Sequence, residues 1–152
     1  MTHIVKFAFA AIIALAAQRA AAADAIPPDF RGEWVPATAD CTSPQRLKVS
    51  ETQLTLINGR DSQSYGGIGI PTTFFGPDYT GISVVAMPEV DSGNSPFTVY
   101  FNNDDKKGET KVEIYIEMKG PQNAQMKAIQ DAAKKLAARF PALNLNPLKK
   151  CS

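Results

Sequence analysis

Residues 45–60 read Gln45-Arg46-Leu47-Lys48-Val49-Ser50-Glu51-Thr52-Gln53-Leu54-Thr55-Leu56-Ile57-Asn58-Gly59-Arg60. Leu47 and Val49 fall on one side of an extended chain, Arg46 and Lys48 on the other. After the polar link Ser50-Glu51-Thr52 the alternation resumes, with Leu54 and Leu56 inward. A period of two marks a half-buried strand, because successive Cβ atoms of an extended chain point to opposite faces. Asn58-Gly59 then offers two residues that tolerate positive φ, as a two-residue type I′ hairpin turn requires. A strand beginning at Arg60 is expected to fold back on Leu54-Thr55-Leu56. Successive hairpins between neighbouring segments make a meander.

The flanking segments continue the pattern. Phe30, Gly32 and Trp34 share one face of a first strand. Thr80 to Met87 reads as another, and Pro96 to Phe101 places Phe97, Val99 and Phe101 together. From Thr110 to Met118 the residues Val112, Ile114, Ile116 and Met118 face one way; Lys111, Glu113, Tyr115 and Glu117 face the other. Gly120-Pro121 then stops the sheet and begins a helix, since proline is tolerated at the first helical position. Met126, Ile129, Ala133, Leu136, Ala137 and Phe140 form its apolar stripe, and Pro141 ends it. The tail to Cys151 is expected to run extended along the sheet. The fold class is mainly β with one C-terminal α-helix over 121–140. The sheet is an antiparallel meander of about seven strands. Two exposed edges would invite pairing with other chains, so closure into a small barrel with the helix packed against it is expected.

The first residues carry a different message. Lys6 stands in a short polar start, Phe7 to Ala17 is apolar, and Ala21-Ala22-Ala23 supplies small residues. This is the layout of a secretory signal peptide over 1–23, cleaved after Ala23 or Ala25, with one domain over 24–152. The apolar run is too short for a stable membrane anchor. A periplasmic or secreted location is expected. The whole chain has a net charge of +1; taking Lys6 and Arg19 from its 16 basic residues leaves 14 against 15 acidic ones. Such a balance gives no reason to expect nucleic acid or an anionic membrane as partner. The two cysteines, Cys41 and Cys151, are read as a disulfide in an exported chain, with free thiols or an intermolecular bond as alternatives. A bridge would close a loop of about 110 residues, worth about 4–5 kcal/mol in the chain-entropy model.

Phe30-Arg31-Gly32-Glu33-Trp34 resembles the start of a lipocalin-like, calycin-type barrel, where Gly-x-Trp on the first strand follows a short irregular lead-in. In that plan the tryptophan closes one end of the barrel, a core role that falls here to Trp34. The layout is similar as well: a meander, a helix after it and a disulfide tying the tail to the body. Small exported bacterial proteinase inhibitors resemble the same plan, with a cysteine soon after the Gly-x-Trp, here Cys41. The motif covers residues 30–41.

Catalytic chemistry finds few carriers. The single histidine, His3, lies in the expected signal peptide, so residues 24–152 contain no imidazole. This removes Ser-His and Cys-His nucleophilic catalysis and nearly all zinc sites. A bridged pair of cysteines leaves no thiolate. Asn102 to Glu109 is rich in oxygen ligands but lacks the alternating spacing of a calcium loop, and Lys106 and Lys107 would repel a cation. Gly66-Gly67-Ile68-Gly69 does not feed a helix, as a phosphate-binding loop must. No metal, cofactor or enzymatic activity is expected.

Two functions fit. One is a non-catalytic exported binding protein for a small apolar or amphiphilic molecule; the other is a protein-binding module, such as an inhibitor of a secreted or periplasmic hydrolase. Binding is assigned to Tyr65–Tyr79, where Tyr65, Phe74, Phe75 and Tyr79 are set among glycines and prolines. That composition is expected to form a loop or irregular rim, because glycine and proline disrupt a ladder. Adjacent residues of an extended segment point to opposite sides. Phe74→Ala and Phe75→Ala are therefore expected to differ under chemical denaturation and in a binding assay. One should cost a core-sized 3–5 kcal/mol or so, the other should spare stability and weaken partner retention. Equal destabilisation would make the segment core.

Overall fold

Alternating apolar side chains and tight turns bring the chain together as one antiparallel sheet. The computed structural model describes residues 24–75, 80–89, 92–102, 109–114 and 123–151, with 74 and 75 described by their backbone alone. The expected signal peptide, Tyr79 and the stretch 115–118 of the expected last strand lie outside the described residues. Among the described residues there are nine strands: β1 (Gly32–Pro36), β2 (Gln45–Val49), β3 (Leu54–Asn58), β4 (Asp61–Tyr65), β5 (Gly67–Phe75), β6 (Thr80–Met87), β7 (Phe97–Phe101), β8 (Thr110–Glu113) and β9 (Pro147–Cys151). One helix, α1 (Ala124–Arg139), precedes β9. Their order in the sheet is β4-β3-β2-β1-β9-β8-β7-β6-β5.

This order nearly closes a barrel. Every neighbouring pair in it is antiparallel. Nine alternating strands leave the first and last, β4 and β5, running in the same direction. Gly66 alone separates them. They therefore act as one long strand that changes partner, pairing with β3 before Gly66 and with β6 after it.

Several expectations shift by small amounts. Asn58 pairs with Asp61, so the hairpin loop is Gly59-Arg60, one residue later than the sequence suggests. Gly59 alone of the two has positive φ, 60°, the arrangement of a type II′ turn. Phe30 belongs not to β1 but to a 3-10 turn over Pro28–Phe30 that leads into it. The helix starts from Asn123, whose side chain accepts a hydrogen bond from the Met126 N–H, rather than from Pro121. An asparagine oxygen satisfies one of the free N–H groups of a first turn, which proline cannot do. The strand count is nine instead of about seven because the Gly/Pro-rich segment and the tail both join the sheet.

The core is continuous from end to end. Leu47, Leu54, Leu56, Val84, Ala86, Phe97, Val99, Phe101, Val112 and Ile114 have no exposed surface at all. At one end Ile26 and Phe30 plug the barrel: the Phe30 ring stacks on Phe101 at 5.0 Å, and the Trp34 indole N–H donates to the Phe30 carbonyl at 3.0 Å. At the other end Leu136, Phe140 and Leu143 join the same cluster. The Cys41–Cys151 disulfide is formed across a separation of 110 residues.

Backbone approaches closely at Gly81, the second residue of β6. A Cβ on Gly81 would lie 2.5 Å from the Phe101 carbonyl oxygen and 2.9 Å from that of Asn102. Both obstacles are backbone and cannot swing away. Gly66 has open space around it and an ordinary φ. Gly81→Ala should destabilise by about 1–3 kcal/mol or more, and Gly66→Ala should be close to neutral, in urea unfolding of the oxidised protein. Equal midpoints for the two would contradict this packing.

Candidate functional site

The segment assigned to binding divides between core and edge. Tyr65 ends β4 and is only 2% exposed. Its ring meets Phe97 edge-on at 4.8 Å, and its hydroxyl donates to the Ser95 carbonyl at 3.1 Å. Burial pushes its pKa up to about 12. A buried phenol needs an acceptor, and Ser95 supplies it; the side chain is mostly core and only touches the wall of the hollow described below. Phe74 and Phe75 lie at the end of β5, paired with Gly81 and Thr80, and Tyr79 is outside the described residues.

The expected loop is thus, over Gly67–Phe75, an edge strand. Its register with β6 shifts between Gly69 and Thr72, where Ile70-Pro71 forms an irregularity. An edge strand needs hydrogen bonds on one side only, so proline and glycine are tolerated there. The Asp24 carboxylate accepts a hydrogen bond from the Ile70 N–H at 2.9 Å. Ile26 N–H donates to Glu51 at 2.8 Å in the β2–β3 turn. The N-terminal segment therefore bridges the seam below Gly66.

Above Gly66 the helix does the same work. Arg139, at the end of α1, donates through Nε to Asp61 at 2.9 Å and reaches Gln63 of β4, while the Asn58 amide donates to the Arg139 carbonyl at 2.8 Å. The guanidinium hydrogen bond holds the Asp61 carboxyl below its ordinary pKa. Between β4 and the β6–β7 connection lies a hollow of about 300 Å³, lined by Ser64, Gly66, Gly67, Met87 and Asn94. Met87 is 56% exposed there. Sequence reading missed Arg139, Asp61 and Met87, because an isolated charge or methionine carries no local pattern.

Among the described residues the central inward side chains leave no comparable space between them. A residue with no exposed surface touches no void wide enough for water, and ten of the inward residues meet that condition. Trp34, 3% exposed, is packed against Phe101 at 5.4 Å. Both thiols are in the disulfide. Among the described residues no group of three His, Cys, Asp or Glu side chains is gathered as a metal site. Several carboxylates instead face cations: Glu33 with Arg46, Glu51 with Arg31, Asp131 with Lys127. No helix among the described residues is long and apolar enough to cross a membrane. No family model, curated protein or solved structure matches the chain.

The Asp61–Arg139 pair ties the helix to the seam, and its pH dependence has a definite sign. Asp61 titrates lower in the folded protein than its ordinary 3.8. Its stabilising contribution is complete above that value and is lost as pH falls through the lower folded pKa. Asp61→Asn should lower the melting temperature at neutral pH, and the gap to wild type should close below pH 3.8. Calorimetric scans of both proteins from neutral to acid pH check this; a gap that is constant across the range would show that the pair does not anchor α1.

Proposed function

We propose that this chain is a non-catalytic, exported binding module that engages another protein through its outer surface. The filled interior carries the reading. A barrel that holds a small apolar ligand needs a pocket of several hundred Å³ inside it; here side chains occupy that volume and both ends are plugged. The hollows present are on the outside and mix polar with apolar lining. Such surfaces suit a protein partner better than a buried lipid.

Export rests on the signal-like residues 1–23 and on a disulfide of a kind that persists in oxidising compartments. The lack of imidazole and free thiol in residues 24–152 supports the non-catalytic part. The likeness to the lipocalin plan extends from Gly32-Glu33-Trp34 to the order of strands, with a meander, a helix and a last strand returning beside the first. It is a likeness of frame, with the interior given over to core.

Native mass spectrometry of protein purified from its own host, under conditions that preserve weak complexes, tests the proposal. A second polypeptide should be retained, and the free chain should have the mass of its residues alone. An apolar dye should stay dark with the folded protein. Stoichiometric retention of a lipid or other small apolar molecule would overturn the reading.

A further inference from the structure

The outer face of β2, β3 and β4 carries the largest hollow among those described, about 370 Å³. Its floor is Thr55 and Ile57 of β3. Lys48 of β2 flanks it on one side and Ser62 of β4 on the other, with Gln53 and Arg60 at the two turns. Lys48 is paired across the sheet with Thr55, and Ile57 with Ser62. All four side chains are on the outward side, opposite Leu54 and Leu56.

Charge distinguishes this hollow. Its lining contains two cations, Lys48 and Arg60, and no carboxylate. The nearby cations are different: Arg46 is matched by Glu33 at 3.1 Å, Arg31 by Glu51 at 3.4 Å and Arg139 by Asp61. Among the described residues neither Lys48 nor Arg60 is held in an ion pair, Glu33, the cross-strand neighbour of Lys48, being bonded to Arg46; the two cations overlook a depression with hydroxyls on either side and one half-buried isoleucine at its base. The mature chain is near neutral overall, so the feature is local.

We infer that this hollow is the docking site for an extended acidic segment of the protein partner, with two carboxylates about four residues apart. The inference rests on the protein-binding reading above and names the chemistry of the partner. The spacing follows from the sheet. Lys48 is level with Thr55, and Arg60 follows Gly59 at the turn, four to five residues further along β3. At the rise of a strand that is about 13–17 Å. In an extended peptide, positions four apart lie on the same face at about that separation. Ile57 between them takes an apolar side chain, and Thr55 and Ser62 take backbone polar groups. A sulfated polysaccharide would need a denser array of cations than two and has no use for Ile57.

The test uses the oxidised mature protein and a synthetic octapeptide of threonine and valine with two glutamates four positions apart. Amide shifts in an NMR titration should centre on Lys48, Thr55, Ile57, Arg60 and Ser62 and should diminish as salt is raised. The glutamine version should bind about three- to thirtyfold more weakly, as expected for two exposed ion pairs. Lys48→Glu/Arg60→Glu should lose binding, and the milder Lys48→Gln/Arg60→Gln should match the glutamine peptide. Equal binding of both peptides, or shifts centred on Lys134 and Lys135 of α1, would overturn the site. So would tighter binding of a heparin-derived tetrasaccharide to the same residues. If the charge-reversed protein still retains a partner in native mass spectrometry, this site fails and the protein-binding reading stands. If wild type retains only a lipid, that reading fails, whatever the peptide does.

Discussion

The barrel is one sheet only because its last strand lies beside its first. Strand β9 pairs with β1 over Glu33–Pro36 and with β8 at Thr110 and Lys111. Without it the order would fall into two four-stranded halves joined through Gly66. Those halves form from local hairpins, which close at small entropic cost. The β1–β9 pairing joins the two ends of the domain and carries the largest loop-closure cost. The disulfide acts at this point: Cys151 is the last residue of β9, and Cys41 lies in the connection after β1. Its 110-residue loop is close to the longest the domain allows, so the constraint on the unfolded chain is near its maximum.

The halves were legible strand by strand; closure was expected from the cost of exposed edges and from the two cysteines, but the strands that make it were not identified. Leu47, Val49, Leu54 and Leu56 announce β2 and β3 because each apolar residue faces the core and each intervening one faces water. Phe97, Val99 and Phe101 do the same for β7. Strand β9 shows no such signal: of Pro147-Leu148-Lys149-Lys150-Cys151, Leu148 alone is buried. Its place is fixed by pairing on both sides and by the disulfide. Strand β5 was hidden for the opposite reason. Glycine and proline argue against a strand in the middle of a sheet, but they are permitted at an edge, and sequence alone does not say which strand will be at the edge. On the helix, Met126 and Ile129 are half-buried while Gln130 is buried, so the inward face is rotated slightly from the apolar stripe.

Tyr65 shows that composition does not distinguish a core aromatic from a loop aromatic. An aromatic among glycines looks like a binding loop. Here the ring fills the barrel beside Phe97, and the chain changes partner at Gly66 directly after it. The polar end of the side chain is used internally on Ser95. Arg139 is the converse. It lies outside the apolar stripe of the helix, yet it ties α1 to β4 through Asp61 and Gln63.

A solid interior has a consequence for what the surface can do. Strands held by core packing on their inner face and by hydrogen bonds to their neighbours present their outward side chains from a backbone that does not have to be ordered on binding. Association pays for immobilising whatever was mobile, so a rigid sheet face with few long side chains is favourable ground for recognising an extended segment. The same rigidity limits what such a face can recognise. Exposed ion pairs are each weak, and two of them select for charge and spacing without holding a partner tightly. Tight binding would need a second region of contact, and the exposed Met87 beside the seam is one apolar anchor that the described residues offer. The β2–β4 face would then set which segment is accepted, and the seam would set how long it stays.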